Sequence, residues 1–254
     1  MTDSRQQTVW ITGGSRGIGA CIAEQFATAG YRVVLMARDS DVLRAASSRI
    51  GAVCEPLDLA QREVLSIQIE ELLTRHGCPD ILINNAGVAH SASLSATTDA
   101  QWQRTLDVNL SANFILCRAI LPKMRKRGRG RVIFVASNAG LAGYPYTSAY
   151  CASKHGVVGL MRGLAREYTE ADLTVNAICP GFVETEMAVA SIQRIAEKTG
   201  RSVAEARRSL EKLNPQNRLI QPEEVAALTL FLCAEQARGI HGQAIAVDGG
   251  QVQH

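Results

Sequence analysis

The stretch TVWITGGSRGIGACIAEQFATAGYRVVLMAR, residues 8–38, decides the fold. TVWIT (8–12) is a short apolar, β-rich run that reads as a strand. GGSRGIG (13–19) follows; ACIAEQFATAG then spaces its apolar residues as a helix does and stops at Gly30. RVVLMAR (32–38) is strand-like again. A strand, a glycine turn, a helix and a second strand open a parallel α/β sheet. Gly13, Gly17 and Gly19 let the backbone bend tightly and approach a ligand, while the amides at the helix start attract phosphate. Their spacing, G-x-x-x-G-x-G, differs from the G-x-G-x-x-G dinucleotide fingerprint. Taken alone, the turn is either a phosphate cradle or a plain connector.

The alternation continues outward from this stretch. A helical segment at about 40–50 precedes AVCEPLDL (52–59), an amphipathic stretch to His76 and DILINNAGV (80–88). A helical pattern over about 100–124 leads to RVIFVAS (131–137), then to a helix carrying Tyr150 and Lys154. LTVNAICPG (173–181), a PEEVAALTLFLC helix and QAIAVDGG (243–250) complete the chain. No linker, repeat or low-complexity tract intervenes. The expected architecture is one α/β domain over residues 1–254, a Rossmann-type doubly wound parallel sheet of about seven strands with helices on both faces. The irregular zone is 184–214, a charged helical insertion expected to act as a substrate lid, with an idle surface hairpin as the alternative.

Composition limits the function classes. Lys and Arg number 27 against 24 Asp and Glu, and a net charge of +3 is too small to argue for nucleic acid. The basic run KMRKRGRGR (123–131) reads as a solvated helix end and turn. Hydrophobic residues at 46% and charged residues at 20% exclude disordered and collagen-like chains. The seven cysteines form no CxxC pair and no metal-spaced cluster, so no metal is expected. Cys21, Cys54, Cys117, Cys151, Cys179 and Cys233 lie in apolar runs and read as buried thiols of a reducing compartment. The N-terminus MTDSRQQT has no apolar signal core and no window approaches a membrane span, so a cytoplasmic protein is expected.

Candidate chemistry concentrates in SNAGLAGYPYTSAYCASK (137–154). Tyr150 and Lys154 stand four apart at a helix start, on one face and one turn from each other. A free phenol titrates near 10, and a neighbouring ammonium favours phenolate, which makes the pair a tunable acid/base. Ser137 ends the fifth strand, where open α/β sheets bind ligands. At the second strand's end, where an acid would bind a ribose 2′-hydroxyl, stand Ala37 and Arg38. With Arg16 in the glycine turn, two guanidinium groups can meet a 2′-phosphate, which points to NADP(H); neighbouring Asp39 counts against it. Asp58 is either an acceptor for an adenine amino group or a helix N-cap. Asn84, Asn85, Ala86 and Gly87 close the fourth strand where a cofactor can lie against backbone, or form a plain turn. Asn109 is a poor helix former in mid-helix; it either bonds back to helix carbonyls or holds a water that feeds protons to the site.

Together TGGSRGIG (12–19), NNAG (84–87), Asn109, Ser137, YCASK (150–154), PGFVET (180–185) and VDGG (247–250) resemble the short-chain dehydrogenase/reductase family over essentially the whole chain. The resemblance implies Tyr150 as general acid/base, Lys154 lowering its pKa and holding the nicotinamide ribose, Ser137 bonding the substrate oxygen and Asn109 completing a proton relay. It implies cofactor binding by Gly13, Ser15, Arg16, Gly17, Ile18 and Gly19, by Arg38, Asp58 and Leu59, by Asn85, Ala86 and Gly87, and by Tyr150 and Lys154. Pro180, Gly181, Val183 and Thr185 would seat the nicotinamide carboxamide. A homotetramer is implied as well. The expected activity is ketone/secondary-alcohol interconversion with NADP(H), on a 3-oxoacyl or 3-hydroxyacyl thioester or similar ketone. Arg194, Lys198, Arg201, Arg207 and Arg208 form either a contact for an acyl carrier's phosphate or a solvated helix face. The alternatives are an NAD(H)-linked dehydrogenase of a sugar, polyol or cyclic alcohol, and a non-catalytic cofactor-sensing regulator, against which Ser137, Tyr150 and Lys154 together argue.

Overall fold

Seven parallel strands form one sheet in the order β3-β2-β1-β4-β5-β6-β7. They are β1 (Thr8–Thr12), β2 (Arg32–Ala37), β3 (Val53–Pro56), β4 (Ile81–Asn84), β5 (Arg129–Val135), β6 (Asp172–Pro180) and β7 (Ala244–Val247). The structure, a computed structural model, describes residues 6–38, 40–169 and 172–253. Asp39 and most of the N-terminal segment invoked above lie outside the described residues.

Buried on both faces, the strands read as near-continuous apolar runs. Alternate side chains serve opposite layers. Trp10, Val34, Leu82, Val132 and Phe134 join a core with α3 (Arg62–His76), α5 (Ala112–Arg127) and α6 (Ser148–Glu167). Val9, Ile11, Leu35, Ile83 and Ile133 join a second core with α1 (Gly17–Thr28), α2 (Asp41–Ile50) and α9 (Pro222–Cys233). Phe134 is wholly buried, and truncating such a residue to alanine costs about 3–5 kcal/mol.

The strand order reverses between β1 and β4. Their C-terminal ends, the glycine turn and Asn85–Gly87, therefore face each other across the crevice where such sheets bind ligands. Beyond β6, α7 (Glu186–Thr199) and α8 (Val203–Glu211) make the helical insertion. Ile192, Ala206, Leu210 and Leu219 give it a small core of its own, with Phe182 packed against it.

Three features differ from the sequence reading. The 100–124 helix is α4 (Asp99–Leu106), a π-turn at Asp107–Ser111 and α5. β5 begins two residues early, so Arg131 is a buried strand residue held at 2.7 Å by Asp172, because strand pairing with β6 starts at Arg129. Of the seven free thiols, Cys117, Cys179 and Cys233 are buried and four are half-buried. Among the described residues no helix is long and apolar enough to cross a membrane.

Candidate active site

Ser137, Tyr150 and Lys154 converge where β5, β6 and α6 meet. Ala136 N–H donates to Ile178 O at 2.8 Å, continuing the β5–β6 pairing, and the next residue leaves the sheet. Ser137 caps a short 3-10 turn, Asn138–Gly140, its Oγ accepting from Ala139 N–H at 3.1 Å. That turn lies directly on α6: a Cβ at Gly140 would stand 2.7 Å from Lys154 O. The contact brings the Ser137 hydroxyl into hydrogen bonding with the Tyr150 phenol in the first turn of α6. Lys154, buried one turn later, donates from Nζ to Val135 O at 2.9 Å and sits 5.7 Å from the Tyr150 ring centroid.

The electrostatics depart from the expectation that Lys154 makes this phenol acidic. Burial pushes Tyr150 above its ordinary value, and the opposing pull comes from the Ser137 hydrogen bond. Burial also pulls Lys154 down to about 8. The reason is placement: both groups are desolvated, and the ammonium bonds the Val135 carbonyl and stands off the phenol ring.

Asn109 lies in the π-turn, where the side chain neither back-bonds to the helix nor faces open space. It accepts from Val88 N–H at 2.8 Å and donates to Val88 O at 2.9 Å and Ser153 Oγ at 3.0 Å. Its main-chain carbonyl accepts from Asn113 Nδ2 at 2.7 Å. The side chain thus clamps the loop after β4 to α6.

The crevice suits a dinucleotide. Arg16 caps α1 without a side-chain bond and the first turn holds no acid, so its amides are open to a phosphate. Gly13 and Gly17 adopt φ of +65° and +53°, and a Cβ on Gly13 would stand 2.8 Å from Ala86 Cα. Asn85 locks this turn, donating from Nδ2 to Thr12 O and Gly13 O at 2.9 and 3.1 Å. Thr12 Oγ1, which sequence reasoning missed, accepts from the amides of Asn85 and Ala86 at 3.0 Å. Gly87 borders Lys154 Nζ, and Ser15 and Ile18 are half-buried in the turn. Arg16 in the glycine turn and Arg38 just after β2 are exposed, with no ion pair among the described residues.

Other candidates sit differently. Asp58 caps no helix: it accepts from Ala60 N–H at 3.0 Å, and α3 begins later, after Gln61. Leu59 packs into the core and Asn84 is buried against Cys117, so neither side chain lines the crevice. Gly181 N–H donates to Val247 O at 3.0 Å, fixing the Pro180–Gly181 bend against β7. Val183 bridges Ile220, and Thr185 faces Gly17 across the groove. Arg207 is no free cation on a solvated face. It grips Glu184 bidentately at 2.7 Å and reaches Glu211 at 2.8 Å.

Residues 7–196 match the family model described as short chain dehydrogenase. The chain belongs to the short-chain dehydrogenase family. This short-chain dehydrogenase is 35% identical over 252 residues to a D-beta-hydroxybutyrate dehydrogenase of Rhizobium meliloti, covering 96% of this chain and 98% of the relative. It is 30% identical over 246 residues to a 3-oxoacyl-(acyl-carrier-protein) reductase of Chlamydia muridarum, covering 94% and 95%. An actinorhodin polyketide ketoreductase variant crystallised with NADPH superposes with a TM-score of 0.93, at 31% identity and full coverage of both chains. The short-chain dehydrogenase is therefore an oxidoreductase of the alcohol dehydrogenase/ketoreductase kind. Among its described residues no group of three or more His, Cys, Asp or Glu is placed to hold a metal ion.

Proposed function

We propose that the chain is a ketoreductase that prefers NADP(H) and interconverts 3-oxoacyl and 3-hydroxyacyl thioesters or similar ketones. The observation that carries this reading is the convergence of Ser137, Tyr150 and Lys154 beside the β1/β4 crevice. A reduced nicotinamide, when bound in the crevice, would supply the hydride for the ketone carbon. Ser137 Oγ and the Tyr150 hydroxyl donate to the ketone oxygen and stabilise its developing charge, and Tyr150 gives the proton. Lys154, titrating at about 8, is poised to return a proton to the phenolate near neutral pH and to hold the nicotinamide ribose beside Gly87. In oxidation Tyr150 as phenolate takes the alcohol proton.

The substrate class is supported by the chemistry shared in the relatives' names, an oxygen on the third carbon of an acyl chain. NADP(H) preference is supported by exposed Arg16 and Arg38. The site residues implied by the resemblance keep their proposed roles, except that Lys154 does not acidify the phenol and Leu59 acts through its backbone, while the Asn85 side chain braces the glycine turn. The α7–α8 insertion is proposed as the substrate lid of a single catalytic domain. A homotetramer remains part of the proposal, supported by exposed Phe114 under Arg118 beside a cleft of about 560 Å³ between α3, α5 and α6, as does a cytoplasmic location. The test is a panel of ketones, including 3-oxoacyl thioesters, sugars and cyclic ketones, assayed with NADPH and NADH. Fastest turnover of a 3-oxoacyl thioester with NADPH upholds the proposal; a sugar or cyclic substrate with NADH overturns it.

A further inference from the structure

The last residues of the chain reach back to the turn that carries Ser137. Asp248, buried at 3% exposure, follows β7 and gathers the segment behind it: its Oδ1 accepts from Gly250 and Gln251 N–H at 3.1 and 3.2 Å, its Oδ2 from Val252 N–H at 3.0 Å. The turn so formed presents the Gln251 side chain to Asn138. Asn138 Nδ2 donates to Gln251 Oε1 at 3.1 Å and to Asp248 Oδ2 at 3.4 Å. Asn138 is buried at 3% exposure and is the first residue of the 3-10 turn that Ser137 caps. Asp248 also packs on Gly181, where a Cβ would stand 2.9 Å from Asp248 Cβ. One carboxylate thus joins the chain's end, the Ser137 turn and the Pro180–Gly181 bend.

We infer that Asn138 and Gln251 are positioning residues of the reaction, the C-terminal segment holding Ser137 at the substrate oxygen through the Asn138 amide. The Ser137 hydroxyl has two anchors besides the phenol, its bond from Ala139 N–H within the same turn and a 3.5 Å contact to Pro180 O, and its backbone bonds Cys179. These hold the turn on β6 and α6; the Asn138 side chain adds the tie to the segment after β7. A displaced Ser137 withdraws one donor from the ketone oxygen and one hydrogen bond from Tyr150.

The inference rests on the proposed roles of Ser137 and Tyr150. The experiment uses the full chain and the variants Ser137→Ala, Asn138→Ala, Gln251→Ala and the Asn138→Ala/Gln251→Ala double. Two readouts apply: ring-carbon NMR of Tyr150, assigned with Tyr150→Phe, and turnover of an acetoacetyl N-acetylcysteamine thioester with NADPH. Gln251 is half-buried where Asn138 is buried, so its variant keeps the fold if Asn138→Ala does not. The expected result is an upward shift of the Tyr150 midpoint in Gln251→Ala and Asn138→Ala, in the direction Ser137→Ala gives. kcat falls about tenfold and KM for NADPH stays within about twofold. The double variant is no worse than Asn138→Ala, because Gln251 acts through Asn138. Wild-type midpoints and kcat in both single variants, with Ser137→Ala affected, overturn the inference alone, as do additive losses in the double. An unaffected Ser137→Ala overturns the reading of the site and the inference with it.

Discussion

Lys154 gives a hydrogen bond to the main-chain oxygen of Val135 at 2.9 Å, so the cation of the site is anchored to the end of β5, beside the residue pair that leads to Ser137. The arrangement fixes the ammonium and buries it at once, and its pKa of about 8 follows from the burial.

The first expectation is a stability signature. Lys154 takes up fewer protons folded than unfolded between pH 8 and its ordinary value of 10.5, so stability gains from this group as pH rises through that window. The span corresponds to at most about 3 kcal/mol. Denaturant unfolding of the apo protein and Lys154→Met at several pH values should show the wild type gaining on the variant between pH 8 and 10, while the variant loses catalysis.

Tyr150→Phe removes the proposed proton donor and leaves the crevice intact. Turnover should fall about 10²- to 10⁴-fold while dinucleotide affinity falls by no more than about tenfold, the worth of one hydrogen bond, measured by steady-state rates and fluorescence titration. In the oxidation direction the wild-type rate should climb with pH, because burial holds the phenol protonated at neutral pH.

Arg16 and Arg38 stand exposed in the glycine turn and after β2, where the proposal seats the adenosine. A charge-assisted contact contributes about 1.5–3 kcal/mol, so Arg38→Ala should raise KM for NADPH by about 10- to 100-fold and leave KM for NADH nearly as it was. A wild type that prefers NADH, unmoved by the substitution, defeats the assignment.

Glu184 lies between the bend after β6 and the insertion, and the Arg207 hydrogen bonds hold its carboxyl below the usual range. The stabilisation is present above the ordinary carboxylate pKa and is lost as pH falls through the depressed one. Both side chains are 38% exposed, so Arg207→Ala should cost less than about 1 kcal/mol of global stability. Hydrogen exchange of residues 203–211 should nevertheless quicken, and KM for the ketone should rise more than kcat falls.

A side chain at Gly19 would collide with the carbonyl oxygen of Gly13 and with Asn85 Nδ2. Gly19→Ala should therefore open the turn and weaken NADPH and NADH binding alike, by calorimetry. Equal affinity in the variant would show that the turn tolerates the shift.

Asn109 shows the limit of sequence reading within the site. Its helical context marked it as unusual, yet its true partners are Val88 and Ser153, each more than 20 positions away. Arg131 and Arg207 misled for a related reason: a lone basic residue in a charged run looks solvated until a distant acid is folded against it.

What the sequence determined by itself was the order of strands and helices, the glycine turn and the presence of Ser137, Tyr150 and Lys154. Periodicity, turn chemistry and one-turn spacing are local, and they survive without knowledge of the fold. Tertiary structure alone decided that the Tyr150 phenol is raised by burial, that Lys154 faces Val135, and that Gln251 touches the Ser137 turn. Desolvation and long-range hydrogen bonds depend on which distant segments exclude water from a group, and no local pattern records that.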